Sequence, residues 1–295
     1  MREIVLPREE TPKKLENFLK KEFPIGYVRR LFRKNGVRVN GRRAKVGDVV
    51  RGGDQIQLYI DYVKQTDAFK QSAALAKSVE VLYEDASLFV LNKPAGIAVP
   101  EGETVRKSDS LSGILEAKYR EPGTQPQLVH RLDRDTSGVL LVAKNRDIAK
   151  ELQGRFERGE VHKEYLCLIA GRPLSHEGKI DLPLPGREGN LVPALTRYRV
   201  LQRFLETTLV RVVIETGRLH QIRLHFAELG HPVIMDQQHG DFRLNKRFRK
   251  QFGLKRQFLH AEKLALNYAG HRIEWTAPLP KDLSETLRKV SAQAP

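Results

Sequence analysis

Leu15, Phe18 and Leu19 fall on one face of a 3.6-residue repeat and predict a helix, with Pro24 and Gly26 expected to close it. Tyr27, Val28, Leu31 and Phe32 repeat the pattern. They predict a second helix that carries Arg29, Arg30, Arg33 and Lys34 outward and stops at Asn35-Gly36. Val37-Arg38-Val39 then alternates in period two into the turn Asn40-Gly41, and a second short strand is predicted over 55–59. Residues 61–78 are polar and without pattern, and read as a linker. Beyond them, β-type segments are predicted at 79–83, 88–91, 139–142, 165–169, 196–201 and 208–215, and helices at 110–119, 147–158 and 221–229. Residues 178–192, rich in Pro and Gly, read as a surface loop. Strands and helices do not alternate regularly, so the expected class is α+β rather than a doubly wound sheet. The expected organisation is a small domain over 1–60, the linker 61–78 and a larger domain over 79–295, with no internal repeat.

Composition narrows the classes. At 295 residues, 40% hydrophobic and 30% charged, the chain has the apolar content of a globular protein and enough length for about two domains. The apolar run 138–143 is far too short to cross a bilayer, and the N-terminus MREIVLPREE lacks the apolar core of an export signal. A single cysteine, Cys167, excludes an internal disulfide and a multi-cysteine metal site. A cytoplasmic protein without membrane contact, acting as a monomer, is expected.

Charge changes the picture further. The chain carries 52 Lys and Arg against 36 Asp and Glu, a net of +16. Residues 1–60 hold 15 of the basic and 7 of the acidic residues, so half of the surplus lies in that short stretch. Such a patch attracts polyanions and releases their condensed counterions, whereas a merely solubilising surface mixes the two signs. The expected partner is nucleic acid.

Two polar clusters carry candidate chemistry. The first runs Val129-His130-Arg131-Leu132-Asp133-Arg134-Asp135-Thr136-Ser137-Gly138, directly before an apolar strand. Its carboxylates and guanidiniums suit either a reaction site or a capped turn with solvated arginines. The second, Thr216-Gly217-Arg218-Leu219-His220-Gln221-Ile222-Arg223, leaves a strand and enters a helix. Arg223 there could pair with a carboxylate on another element and hold it ionised. Five histidines (220, 225, 231, 239 and 260) are close in sequence, but the i, i+5 spacing of His220 and His225 does not put both on one helical face, and no H-E-x-x-H pattern or acidic ligand cluster accompanies them. No metal is expected. No phosphate-binding glycine loop, dinucleotide turn or nucleophile elbow is present, so no nucleotide cofactor or activated serine is expected either. Cys167, inside an apolar run, reads as core.

Taken in order, these motifs resemble those of the RluA-type pseudouridine synthases, in their RluC-like branch. The signature H-R-L-D-x-x-T-S-G stands at His130 through Gly138, and Val90-Leu91-Asn92-Lys93-Pro94-Ala95-Gly96 is similar to the first catalytic-domain motif. Lys163-Glu164-Tyr165 resembles the tyrosine motif, and Arg218 with His220-Gln221-Ile222-Arg223 the third. The first 60 residues are similar to an S4 RNA-binding domain. Departures stand at Leu219 and at His239-Gly240, where Thr and Tyr-Gly are usual, and at Lys14.

The resemblance implies a mixed, largely antiparallel sheet with flanking helices and a central cleft. It also implies isomerisation of uridine to pseudouridine in RNA, most specifically large-subunit ribosomal RNA, with no cofactor or metal. Asp133 would be the essential carboxylate, as nucleophile or base, Tyr165 would pack on the target base, and Arg223 would pair with Asp133. Arg131 would fill the stack left by a flipped uridine, and His130, Lys93, Arg218, His220 and the basic helix residues Arg29, Arg30, Arg33 and Lys34 would contact RNA. The competing reading is a non-catalytic S4-type RNA-binding or ribosome-assembly factor, which would have no need of the set Asp133, Tyr165 and Arg223.

Overall fold

The computed structural model describes residues 2–23, 25–59, 79–99, 110–119, 124–186 and 189–293. Two compact units emerge, Met1–Lys70 and Gln71–Pro295. The linker expected over 61–78 lies outside the described residues.

The first unit runs β1 (Arg2–Val5), β2 (Lys13–Lys14), α1 (Leu15–Glu22), α2 (Ile25–Arg33), β3 (Val37–Val39), β4 (Arg42–Arg43), β5 (Val49–Val50) and β6 (Gln55–Leu58). Four strands form a sheet in the order β1-β6-β3-β4, and β2 pairs with β5. The expected pair of short strands is therefore too few. β1 was missed because its partner β6 lies at the far end of the unit, from Arg2 opposite Leu58 to Val5 opposite Gln55. Gly26 lies in the first turn of α2 rather than closing α1. Asn40 and Gly41 both take positive φ, 50° and 77°, and join β3 to β4 through the two-residue turn that matches strand twist. Leu15, Leu19, Val28 and Leu31 from the helices pack with Val37, Ile56 and Leu58 of the sheet.

The second unit begins with β7 (Glu80–Glu84), β8 (Leu88–Lys93), α3 (Leu111–Lys118), β9 (Gln127–Leu128), β10 (Ser137–Ala143) and α4 (Arg146–Glu157). β11 (His162–Ala170), β12 (Glu177–Asp181), β13 (Leu184–Pro185), β14 (Leu191–Val192), β15 (Leu195–Arg203) and β16 (Thr207–Ile214) follow. It ends with α5 (Gln221–Glu228), α6 (Phe242–Phe252), β17 (Leu259–Tyr268), β18 (His271–Thr276) and α7 (Lys281–Ser291). The main sheet has the order β12-β15-β16-β11-β17-β10-β8-β7, with β18 on β17 and β9 on β10. Its one parallel pair among the described residues is β10 with β17; the rest is antiparallel. This is the mixed, largely antiparallel α+β architecture that the motifs imply. The 178–192 segment is more ordered than a surface loop: it contains most of the edge strand β12 and the ribbon β13–β14, with Pro183 between β12 and β13 and Gly186 and Gly189 between β13 and β14.

Period-two alternation divides the sheet into two faces. On β10, Leu140 and Val142 join one core with Tyr165, Cys167, Val212, Ile222 and Leu259, while Val139, Leu141 and Ala143 join Ala149 and Leu152 of α4 on the other. Leu168 and Leu209, also pointing opposite to the first core, carry Leu244, Phe248 and Phe252 of α6 and Leu283 of α7. Gly138, at the head of β10, has φ +118°, and a Cβ there would stand 2.1 Å from the Ala261 carbonyl oxygen. The close approach of β10 to β17 therefore needs glycine. No helix among the described residues is long and apolar enough to cross a membrane.

Candidate active site

Asp133 lies in the loop between β9 and β10, Tyr165 on β11 and Arg223 in the first turn of α5. The three line one recess of about 70 Å³ with Arg131, Arg218 and His220. The recess adjoins a groove of about 550 Å³ that shares Arg131, Asp133, His220 and Arg223 with it.

The Asp133 loop is pinned from several sides. Thr136 N donates to the Asp133 carbonyl (3.1 Å), and Gly96 N to the Arg134 carbonyl (2.8 Å). Arg134 Nε returns a bond to the Gly96 carbonyl (3.1 Å), and Gln257 Nε2 holds Thr136 Oγ1 (2.7 Å). Ser137 Oγ meets His260 Nδ1 at 2.9 Å, while His260 Nε2 reaches the Ala277 carbonyl at 3.1 Å. A carboxylate held this way loses little further freedom when substrate arrives.

Arg223 is 6% exposed and makes a three-way junction. Its Nη1 donates to Asp133 Oδ2 (3.0 Å), while Nε and Nη2 grip Asp236 Oδ2 and Oδ1 (2.6 and 2.9 Å) and Nη2 also reaches Gln238 Oε1 (2.8 Å). Asp133 is therefore the lesser of two carboxylate partners. The two-point grip belongs to Asp236, which is fully buried and also accepts from the amides of Gln238 (2.9 Å) and His239 (3.1 Å). Burial alone would raise the Asp236 pKa, yet Arg223 and those amides bring it below the ordinary carboxylate value. Burial likewise opposes charge on Arg223, and the two carboxylates outweigh it. Sequence reasoning missed Asp236 and Gln238, because no local pattern links a loop carboxylate to a helix arginine upstream of it.

Tyr165 is buried, 7% exposed, and lines the recess. Burial, helped by the charge on Asp133, pushes its phenol pKa well up, so it remains an O–H at neutral pH. Arg131 is exposed, lines both recess and groove, and makes no ion pair among the described residues. Arg218 lines the recess and donates to the Pro193 carbonyl (3.0 Å). Gln221, 3% exposed, fixes this turn by bonding Thr216 Oγ1, Arg218 N, the Leu195 carbonyl and Thr196 Oγ1. His220 takes a left-handed conformation (φ 55°), a strained choice for a residue with a Cβ. Its Nε2 stands 3.9 Å from Asp133 Oδ1, and its Nδ1 stands 3.2 Å from His239 Nε2. Burial lowers its pKa against the pull of Asp133. The other clustered histidines bond within the fold: His225 to Thr196 Oγ1 and the Leu182 carbonyl, His231 to the Ala170 carbonyl.

Two residues expected to contact RNA are placed elsewhere. Lys93 is fully buried, and its Nζ donates to the carbonyls of Pro94 (3.0 Å), Ile97 (2.9 Å) and Arg134 (3.0 Å). It ties β8 to the Asp133 loop and offers nothing to a phosphate. Burial pushes its pKa down to about 7, against the raising influence of Asp135 and Asp133. His130 lines neither recess nor groove. Its ring stacks on Phe156 of α4 (4.6 Å between centroids), and its Nε2 accepts from Leu141 N (2.9 Å). Burial pushes its pKa down to about 3, so it is a neutral framework acceptor. Arg29, Arg33 and Lys34 are exposed in the first unit, while the Arg30 side chain lies outside the described residues.

Comparison with known proteins gives the family and the fold. Residues 87–228 match the family model of RNA pseudouridylate synthase. The ribosomal large subunit pseudouridine synthase C of Vibrio cholerae is 36% identical to this chain, covering 97% of it and 96% of that protein. The Escherichia coli protein of the same name is 34% identical, with coverage of 97% and 96%. The solved structure of human RNA pseudouridylate synthase domain containing 4 has the same fold, at a TM-score of 0.64 and 24% identity, covering 77% of this chain and 98% of that one. The chain belongs to the RNA pseudouridylate synthase family, whose members isomerise uridine to pseudouridine within RNA.

Proposed function

We propose that this enzyme modifies uridines of large-subunit ribosomal RNA and that Asp133 is the carboxylate that acts on the ribose. In the isomerisation the N1–C1′ bond breaks, the uracil turns, C5 bonds to C1′, C5 gives up its proton and N1 gains one. Asp133 attacks or deprotonates the sugar, and must be ionised for either. Arg223 supplies the adjacent positive charge while Asp236 holds the guanidinium in place, so the charge of Asp133 is balanced without consuming both of its oxygens. Tyr165, protonated, packs against the turning base as a flat wall that can donate a hydrogen bond.

A stacked or paired uridine cannot reach this recess until it leaves its helix, at a cost of a few kcal/mol. Arg131, exposed and in no ion pair among the described residues, has the planar cation to stack in the vacated space and offset part of that cost. The basic first unit, read as S4-like, holds flanking RNA through Arg29, Arg33 and Lys34. The bacterial large-subunit synthases, matched over nearly their whole length, support the choice of ribosomal RNA.

The observation that carries the reading is the carboxylate of Asp133, 19% exposed, with Oδ2 on Arg223 and the recess with Tyr165 beside it. Asp133→Asn is expected to abolish pseudouridine formation on a large-subunit ribosomal RNA transcript and to change RNA affinity by less than about threefold. Substantial conversion by a folded Asp133→Asn protein would overturn the assignment. Pseudouridine mapping in cells lacking the enzyme tests the substrate.

A further inference from the structure

A second concentration of positive charge lies within the second unit. Between residues 241 and 256 the chain carries seven basic residues (Arg243, Lys246, Arg247, Arg249, Lys250, Lys255 and Arg256) and one acidic residue, Asp241. Asp241 is spent as the N-cap of α6, accepting from the amides of Arg243 and Leu244. The apolar positions Leu244, Phe248 and Phe252 are buried. Arg243, Lys246, Arg247 and Lys250 recur at i, i+3, i+4 and i+7 on the other side, a stripe about 10 Å long at 1.5 Å per residue.

Arg247 is engaged by Glu206 through two 2.9 Å contacts. Arg243, Lys246, Arg249 and Lys250 are exposed and make no ion pair among the described residues. A solubilising helix face normally mixes both signs, and this one carries a single sign next to an exposed aromatic ring, Phe242, 63% exposed.

The helix is also bolted to the catalytic groove. Asn245, in its first turns, takes Met235 N on Oδ1 (2.7 Å) and donates to the Asp236 carbonyl (2.7 Å). The segments on both sides of α6 line the groove: Gln237 and Gln238 before it, Lys255 and Arg256 after it. α6 thus presents its cations on a mount shared with the carboxylate that grips Arg223.

We propose that the α6 stripe of Arg243, Lys246 and Lys250, with Arg249 at its flank, is a second RNA-binding surface that holds the phosphate backbone of RNA flanking the target uridine. This inference rests on the reading of RNA as the substrate and adds a surface within the catalytic unit that is independent of residues 1–60. Single-sign, unpaired, helically spaced cations match a phosphate chain, which positions the nucleic acid without reading its bases.

The test measures binding of the full chain to a large-subunit ribosomal RNA transcript, and separately to a generic RNA hairpin, as salt is varied. Each phosphate contact contributes about 0.7–0.9 to the log–log salt slope. The variant Arg243→Gln/Lys246→Gln/Lys250→Gln is therefore expected to flatten the slope by about 2. Its affinity near 0.15 M salt should fall ten- to a hundredfold. The control Arg146→Gln/Lys150→Gln removes exposed cations from α4 and should keep the parent's affinity.

A folded triple variant with the parent's affinity and slope would overturn the proposal, as would a control that loses as much as the triple variant. If the parent converts no uridine in the transcript, the substrate reading fails. The binding slopes still decide the role of α6, because they do not depend on conversion.

Discussion

Replacing Asp236 by Asn tests the junction at Arg223 most directly. The change is nearly isosteric and leaves Oδ1 free to keep accepting from the amides of Gln238 and His239 (2.9 and 3.1 Å). It removes the charge and sets an N–H against one of the two guanidinium donors now at 2.6 and 2.9 Å from the carboxylate. Breaking a buried ion pair by removing one partner costs about 3–5 kcal/mol. Here Asp133 remains as a counter-ion at 3.0 Å, so the lower end, about 3 kcal/mol, is expected. For a unit of this size that corresponds to a fall in Tm of roughly 6–12 °C.

The chemistry should suffer separately. Two carboxylates now share one guanidinium. With Asp236 neutral, Arg223 belongs to Asp133 alone, free to swing toward it and bind it more tightly, and the carboxylate loses reactivity toward the ribose. A single-turnover assay at saturating enzyme, following tritium released from C5-labelled uridine, should show a rate at least tenfold below the parent at a temperature where both are folded. A variant melting within 2 °C of the parent and turning over at the parental rate would refute the idea that Asp236 holds Arg223 in place.

Lys93→Met should lower stability by roughly 2–4 kcal/mol, since the Pro94 and Ile97 carbonyls lose their donor, and chemical denaturation measures the loss. The Lys93 pKa is about 7 in the fold against 10.5 in the open chain, so the unfolded state binds the extra proton between those values. The parent's advantage over Lys93→Met should therefore widen as pH rises from about 7 to about 10.5. His130→Gln should destabilise without weakening RNA binding. With a folded pKa of about 3 against 6.5 unfolded, the parent loses His130-linked stability as pH falls from about 6.5 toward 3, and the gap between the two proteins should narrow over that range in urea titrations. Gly138→Ala puts a methyl 2.1 Å from the Ala261 carbonyl oxygen, and should cost roughly 4 kcal/mol or more, read as lost soluble yield and a collapsed Tm.

The failures of sequence reasoning have definite causes. Lys93 and His130 occupy motif positions, and their chemistry alone suits RNA, but burial decides what a lysine or histidine does. Lys93 spends its protons on three carbonyls, one of them in the Asp133 loop, a contact that exists only once β8 lies beside β10. Asp236 is an unremarkable loop residue until the fold sets it against Arg223. The C-terminal elements fall outside the elements expected from the sequence, although Leu244, Phe248 and Phe252 of α6 recur every four residues, a helical signal masked by dense charge. β17 is harder to read, because it pairs with β11 on one side and with β10 and then β18 on the other, so its burial follows its neighbours rather than a clean alternation.

By itself the linear order of residues determined the helices at Leu15–Glu22, Arg146–Glu157 and Gln221–Glu228, the strands around the Asp133 and Tyr165 motifs and the Asn40-Gly41 turn, because these depend on periodicity and backbone preference within a few residues. The resemblance of its motifs to a known family marked Asp133, Tyr165 and Arg223 as candidates. Only the tertiary structure decided that they share one recess, that Arg223 answers to two carboxylates, and that Lys93 is an internal strut. Those outcomes depend on desolvation and on contacts between segments distant in the chain, and neither is encoded in local spacing.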